Sequence, residues 1–260
     1  MSIINYQIFN RFSNITHFCT TRDGGVSIGN YSTFNISPFC GDKAESQNQN
    51  IKILSKILDI DPGNLIIPFQ THQTVVKNID KTFIQFNQKE RLDYLTGVDA
   101  LITNLPEICI GVTTADCVPI MYFDVVNNVL AVAHAGWRGT CMKIAGKTIE
   151  KMMEDYGCNP KNIYAVIGPS ISQRVYKVGE EVLRAFEHSD FPVENFFECI
   201  ENEYYLDLWN ANHWLLMKSG VPENQIEIAG MCTFTENEKF FSARRLGLQS
   251  GRMLSGIMLK

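Results

Sequence analysis

Six short apolar runs, at residues 65–69, 75–79, 98–103, 108–113, 118–123 and 129–134, dominate the first half of the chain. Most are rich in β-branched residues and bounded by Asn, Pro or Gly, a pattern that predicts strands. Further strands are expected at 15–21, 163–167 and 226–229, with an apolar terminal run at 253–259. Helices punctuate them. Over 44–58, Ile51, Leu54 and Leu58 share one face before Pro62-Gly63 ends the segment. Met142, Ala145, Ile149, Met152 and Met153 make a second helical face that stops at Gly157. Two more helices are expected near 178–187 and 208–218, and a basic turn around Arg244-Arg245. No linker, repeat or charge block interrupts the 260 residues, so the sequence predicts one compact α+β domain over 1–260.

The composition, 45% hydrophobic and 20% charged, is that of an ordinary globular protein. A net charge of −5 provides no electrostatic footprint for nucleic acid. No apolar stretch approaches the ~20 residues that span a bilayer. The first residues, Met1-Ser2-Ile3-Ile4-Asn5-Tyr6-Gln7, lack a charged region followed by an apolar one, so a cytoplasmic location is expected. The eight cysteines are scattered without a CxxC, which argues against a structural zinc knuckle. Cys19, Cys109, Cys141 and Cys199 read as reduced, buried thiols.

Chemistry concentrates at two strand ends. The run 129–133 leads into His134-Ala135-Gly136-Trp137-Arg138-Gly139-Thr140, which places an imidazole and a guanidinium at a strand-to-helix corner. Upstream, Thr113-Thr114-Ala115-Asp116-Cys117-Val118-Pro119 puts a thiol where the chain turns between two apolar runs. Among the remaining histidines, His188 reads as solvated surface, His213 as structural, and His17 as either a core or a functional residue. His72, in the polar gap Gln70-Thr71-His72-Gln73, completes a potential His72/Cys117/His134 set. Zinc favours such a mixture of imidazole and thiolate, and three ligands leave a fourth position open. The same residues also fit a Cys117–His134 nucleophile and base without metal. Spacing does not choose between the two.

Several segments, in order, carry a resemblance: Gln70-Thr71-His72, Val98-Asp99-Ala100-Leu101-Ile102-Thr103, Ala115-Asp116-Cys117-Val118-Pro119, the 134–140 corner, Gly168-Pro169-Ser170-Ile171, Cys232-Thr233, Phe241-Ser242-Ala243-Arg244-Arg245 and Gly251-Arg252-Met253. From about Thr20 onward the chain resembles the multicopper polyphenol oxidase or laccase-domain family. That family is also called purine nucleoside phosphorylase-type or peptidoglycan-editing-factor proteins. The resemblance implies a single layered α/β/β/α domain with mixed sheets, and one zinc bound by residues matching His72, Cys117 and His134. It implies phosphorolysis of adenosine, inosine and methylthioadenosine, with adenosine deamination. Purine nucleosides and phosphate are then the expected partners. The older oxidase label, with copper, fits poorly, because a laccase holds several coppers with many histidines and this chain has five. One departure is Ser170, where many relatives carry Cys.

Phosphorolysis requires a clamped anion, which the fork of arginine suits. Arg138 is the first candidate, for a catalytic role beside the metal ligands, with Arg22 and Arg244 next; Arg245 and Arg252 read as readily as surface arginines. Asn35 matches the family's loop asparagine as a phosphate or ribose ligand. Asp116 reads as the acceptor that orients its turn rather than as a base. The chain lacks the HxE…PCxxC signature of zinc deaminases. The alternative from a different class remains a metal-free Cys–His hydrolase, with peptidoglycan precursors among its candidate substrates.

Overall fold

The computed structural model describes residues 2–260. It contains two main sheets and a small one. The six-stranded sheet runs in the order Ile226–Ile228, Ile163–Ile167, Val118–Asp124, Val129–Ala135, Ala100–Thr103 and Val76–Asn78. Its inner pairings are antiparallel, and both edge pairings are parallel. The five-stranded sheet runs Ile3–Ile4, Ile15–Thr20, Met253–Leu259, Cys109–Thr114 and Leu65–Ile66.

Alternation along the strands explains how these sheets stack. On Val118–Asp124, Val118, Ile120 and Tyr122 face one way, into a cluster with Ile144, Ile149 and Leu215 of helices Ile144–Tyr156 and Leu208–Lys218. Met121 and Phe123 face the other way, into a second cluster with Ile110, Val112 and Ile257 of the five-stranded sheet. Both faces of the central strands are therefore covered, which is why they read as continuous apolar runs rather than as alternating ones. A third cluster seats Leu54 of helix Ala44–Leu58 on Phe18, Cys109 and Leu254, on the outer face of the five-stranded sheet. The layers are thus helix, sheet, sheet, helix, as the resemblance implied.

The predicted strands and long helices are all present, with ends shifted by a few residues. The helix expected from Met142 begins at Ile144 and is preceded by a shorter one. Trp137–Cys141 forms a short turn of helix, and Lys143 in the left-handed region breaks it from Ile144–Tyr156. Gly157, at φ 66°, ends the second helix where the sequence placed its stop. Not anticipated were the three-stranded sheet of Lys177–Val178, Glu203–Leu206 and Phe197–Ile200, and the helix Gln88–Leu95. Cys199 lies on an edge strand of that small sheet and is exposed, which corrects the expectation that it is buried. Cys19, Cys109 and Cys141 are buried as expected. No described helix is long and apolar enough to cross a membrane.

Candidate active site

Sheet register assembles the site. Val118 pairs with Ala135 and Pro119 with His134, so Cys117, one residue before its strand, lies across from the end of the neighbouring one. Ala100 pairs with Ala133 on the other side of that strand, which sets Asp99 beside His134. Val76 pairs with Ala100, which delivers the preceding 70–75 loop, and His72 with it, to the same sheet edge. Three residues far apart in sequence thereby converge: the ligand atoms of His72, Cys117 and His134 all lie within 4.8 Å of one another. Cys117 Sγ is 3.9 Å from His72 Nε2. The two imidazoles meet edge to face, their centroids 4.7 Å apart. It is the one cluster of this kind among the described residues.

Asp99 holds this arrangement together, and the sequence reading gave it no role. Its fully buried carboxylate accepts hydrogen bonds from the backbone N–H groups of Thr71 (3.2 Å), His72 (3.0 Å) and Gln73 (2.8 Å). It also accepts one from His134 Nδ1 at 2.8 Å. Burial alone would raise its pKa, but His134 and the loop amides outweigh that and hold it below the ordinary value. Two consequences follow. His134 keeps its proton on Nδ1, leaving Nε2 as the donor atom toward the cluster. The 71–73 loop is pinned in a conformation that puts His72 at φ 62°, a left-handed geometry a histidine seldom adopts unaided. The signal was available: a lone carboxylate inside the apolar run Val98–Ile102 needs a partner.

Cys117 and His134 perturb each other. Burial opposes ionisation of the Cys117 thiol, yet the two imidazoles, His134 foremost, bring it down to about 6. Burial likewise disfavours the His134 imidazolium, but Cys117 and Asp99 raise it to about 9. A thiolate beside an imidazolium is a primed nucleophile, and the pair becomes a donor set for a cation once the imidazolium gives up its Nε2 proton.

Gly136 makes room for the cluster. A Cβ there would sit 2.9 Å from Cys117 Sγ and 3.1 Å from His72 Cδ2. Gly136→Ala is therefore expected to push both donors apart at about 1–3 kcal/mol of overpacking and to lower bound metal per chain. Elemental analysis checks this; full occupancy in the variant would contradict it.

The three residues open onto a cavity of about 580 Å³ also lined by Gln70, Arg244 and Arg252. Gln70 is spent on structure: it donates to the Thr113 carbonyl at 2.9 Å and accepts from the Thr113 N–H at 2.8 Å, clipping the loop to the next strand. Asp116 behaves as the orienting acceptor. It receives Thr233 Oγ1 at 2.7 Å, Ser242 Oγ at 3.0 Å and the Arg244 N–H at 2.6 Å, which ties the Cys117 corner to the 232–245 region. Ser170 is buried and accepts from Trp209 Nε1 at 2.7 Å, a packing role away from the cluster.

The other expected binding residues divide. Arg244 is in the cavity wall, its guanidinium donating once to the Lys177 carbonyl (2.9 Å) and lying over the Tyr176 ring. Arg138 is outside that wall, exposed, with Cζ 4.2 Å from the centre of the Trp137 ring. Arg22 is committed to the backbone carbonyls of Ser32 and Asn237. Asn35 is fully buried, its amide bonded to Asp42 and Ser37 and its carbonyl to the N–H of Arg252. Neither Arg22 nor Asn35 reaches the cavity surface. The remaining histidines stand apart from the cluster: His17 accepts the Tyr6 N–H inside the core, and His188 is exposed.

Comparison with known proteins places this geometry in a family. The family model described as multi-copper polyphenol oxidoreductase laccase matches residues 16–260. A Bacteroides thetaiotaomicron protein named purine nucleoside phosphorylase is 42% identical over 259 residues, covering 99% of this chain and 96% of that one. Adenosine deaminase RL5, from an unknown prokaryotic organism, is 39% identical and covers 94% and 93%. Among solved structures, the Bacillus licheniformis hypothetical protein YfiH superposes with a TM-score of 0.92 at 32% identity, covering 100% and 97%.

Proposed function

The chain belongs to the multi-copper polyphenol oxidoreductase laccase family, and we propose that within it this member is a zinc-dependent purine nucleoside enzyme. Its reactions are phosphorolysis of adenosine, inosine and methylthioadenosine, and deamination of adenosine. The observation that carries the reading is the His72/Cys117/His134 set opening on a cavity that also presents Arg244. Relatives named purine nucleoside phosphorylase and adenosine deaminase, similar over nearly the whole chain, support it.

The donors fit zinc: two imidazoles and a thiol already depressed toward thiolate, with room for one more ligand. When bound, zinc supplies Lewis acidity, enough to bring a water's pKa near ~7. The chain's own residues do the rest. Asp99 keeps the proton on His134 Nδ1 and the donor nitrogen inward. Arg244 holds the anionic co-substrate, using the guanidinium donors left free by its single carbonyl contact. A multi-copper oxidase would need more imidazoles than the two that converge here.

The expected phosphate contact thus moves from Arg138 to Arg244. Arg244→Ala is expected to raise the KM for phosphate roughly ten- to a hundredfold, the worth of a charge-assisted pair. Arg138→Ala, which loses only an exposed cation–π stack of about 0.5–1 kcal/mol, is expected to change it by no more than about fivefold. Steady-state kinetics with phosphate as the varied substrate decide; the reverse ranking would restore Arg138 as the clamp.

One observation favours a second reading, a metal-free hydrolase: the Cys117 thiol already near 6 beside an imidazole. A single experiment separates the two. Protein purified without a histidine tag is assayed for metal and incubated with a nucleoside panel, with and without phosphate, and with a panel of acyl esters and amides. About one zinc per chain with phosphate-dependent release of free base supports the first reading. Metal-free protein active only on acyl substrates supports the second.

A further inference from the structure

Two large aromatic side chains stand outside the packing that holds the molecule together. Among the described residues, Phe39 and Phe69 join none of the three apolar clusters. Their rings instead meet each other, centroids 4.8 Å apart and planes tilted by 46°. Each is more than a third exposed, at 38% and 37%, and both line the cavity onto which the His72/Cys117/His134 set opens. Leu248, 82% exposed, adds a third apolar side chain to the same wall.

Anchored backbone presents both rings. The Phe69 N–H donates to the Leu95 carbonyl at 3.0 Å, and the Phe69 carbonyl accepts the Gly97 N–H at 2.9 Å. The Phe39 N–H donates to Ser37 Oγ at 3.3 Å, and the Ser37 N–H donates in turn to the buried Asn35 carbonyl. Asn35, expected to touch the ligand itself, instead fixes the loop that carries Phe39. Rigid apolar surface kept wet inside a cavity is what a preformed ligand wall looks like.

We infer that Phe39 and Phe69 form the base-stacking wall of this site and that the ligand feature they recognise is the planar face of a purine. The inference rests on the nucleoside reading and extends it to substrate selection. A ribose has no π face, whereas every purine does, and stacking on an aromatic ring tolerates differences in substituents. Such a wall reads the ring system and leaves the substituents unread. Adenosine, inosine and methylthioadenosine, which share the ring system, would then be held alike. The polar part of the ligand faces Arg244.

The test is calorimetric titration of the intact, metal-containing protein with adenine and, separately, with ribose 5-phosphate. Phe39→Ala and Phe69→Ala are expected to weaken adenine binding roughly 5- to 150-fold, the range for loss of a stacked base. Phe69→Leu, which keeps apolar bulk without the π face, is expected to weaken it too, and Phe69→Tyr to restore it. Ribose 5-phosphate binding and melting temperature should hold, since neither ring belongs to the core. Unchanged adenine affinity in both alanine variants, or no adenine binding by the parent, overturns the wall. So does a change in sedimentation with base affinity intact, which would assign the rings to contact with a second copy. Nucleoside turnover, followed in parallel, keeps the two ideas apart. A parent that binds adenine through these rings yet turns over no nucleoside sinks the enzymatic reading and leaves the wall standing.

Discussion

Cys117→Ala is expected to leave the protein folded, without retained zinc, and inactive in phosphorolysis and deamination alike. Cys117 supplies the only sulfur among the three converging donors, and two imidazoles without the thiolate make a much weaker zinc site. Because one metal serves both reactions, the two activities should disappear together; survival of either would mean that the site is not shared. His134→Ala should behave alike and additionally strand the buried Asp99 carboxylate, so its melting temperature is expected to fall as well. The pair also predicts a pH dependence of metal binding. Without metal, the charges of Cys117 and His134 hold the thiol low and the imidazolium high. Across neutral pH a proton must therefore leave His134 for the metal to enter, and apparent affinity should rise with pH, about tenfold per unit for one proton. Competition titrations against a chelator across this range measure it, and a flat profile would contradict the coupling.

Asp99→Asn carries the second large expected effect. Four hydrogen-bond donors converge on this carboxylate, three from the backbone of residues 71–73 and one from His134. An amide in its place retains one acceptor oxygen and turns two donors of its own toward donors. Loss of such a supporting partner typically costs about 10–100-fold in metal affinity, and each unsatisfied buried N–H about 1–3 kcal/mol. The variant should therefore bind zinc one to two orders of magnitude less tightly and melt lower. Asp99→Glu, which keeps the charge but overfills the space, separates electrostatics from fit: rescue of affinity without rescue of stability would show that the charge orients His134. Wild-type affinity in Asp99→Asn would remove Asp99 from the site.

Much of this was legible in the sequence because its signals are local. The apolar runs 118–123 and 129–134 are buried on both faces and short, so their composition identifies them as strands whatever they pack against. The stop at Gly157 is a property of one residue without a Cβ. Cys117 and His134 stand out because each sits at the end of an apolar run, and pairing of Val118–Asp124, which Cys117 precedes, with Val129–Ala135, which carries His134, brings them together. What stayed hidden depends on distant partners. The strand Phe197–Ile200 is largely exposed and carries no apolar alternation to betray it. Arg138 and Arg244 sit in equally suggestive motifs, and only the fold stacks one on Trp137 and turns the other to the cavity. Asn35 was expected at the ligand only because it matches the family's loop asparagine, and its amide is bonded within that loop to Ser37 and Asp42.

The Met253–Leu259 strand lies in the middle of the five-stranded sheet, between Ile15–Thr20 and Cys109–Thr114. The Leu254 N–H donates to Thr20 Oγ1 across 234 residues of chain. Contacts of such separation carry a large loop-closure entropy, which slows folding. Until they close, the Cys109–Thr114 strand has an open edge that a second molecule can occupy. Cys117 follows that strand within a few residues, and its Asp116 neighbour is tied to Thr233, Ser242 and Arg244. The thiol corner is therefore fixed by segments more than a hundred residues away along the chain, and a molecule in which the 232–245 region has not docked lacks the contacts that hold Asp116 and, beside it, Cys117.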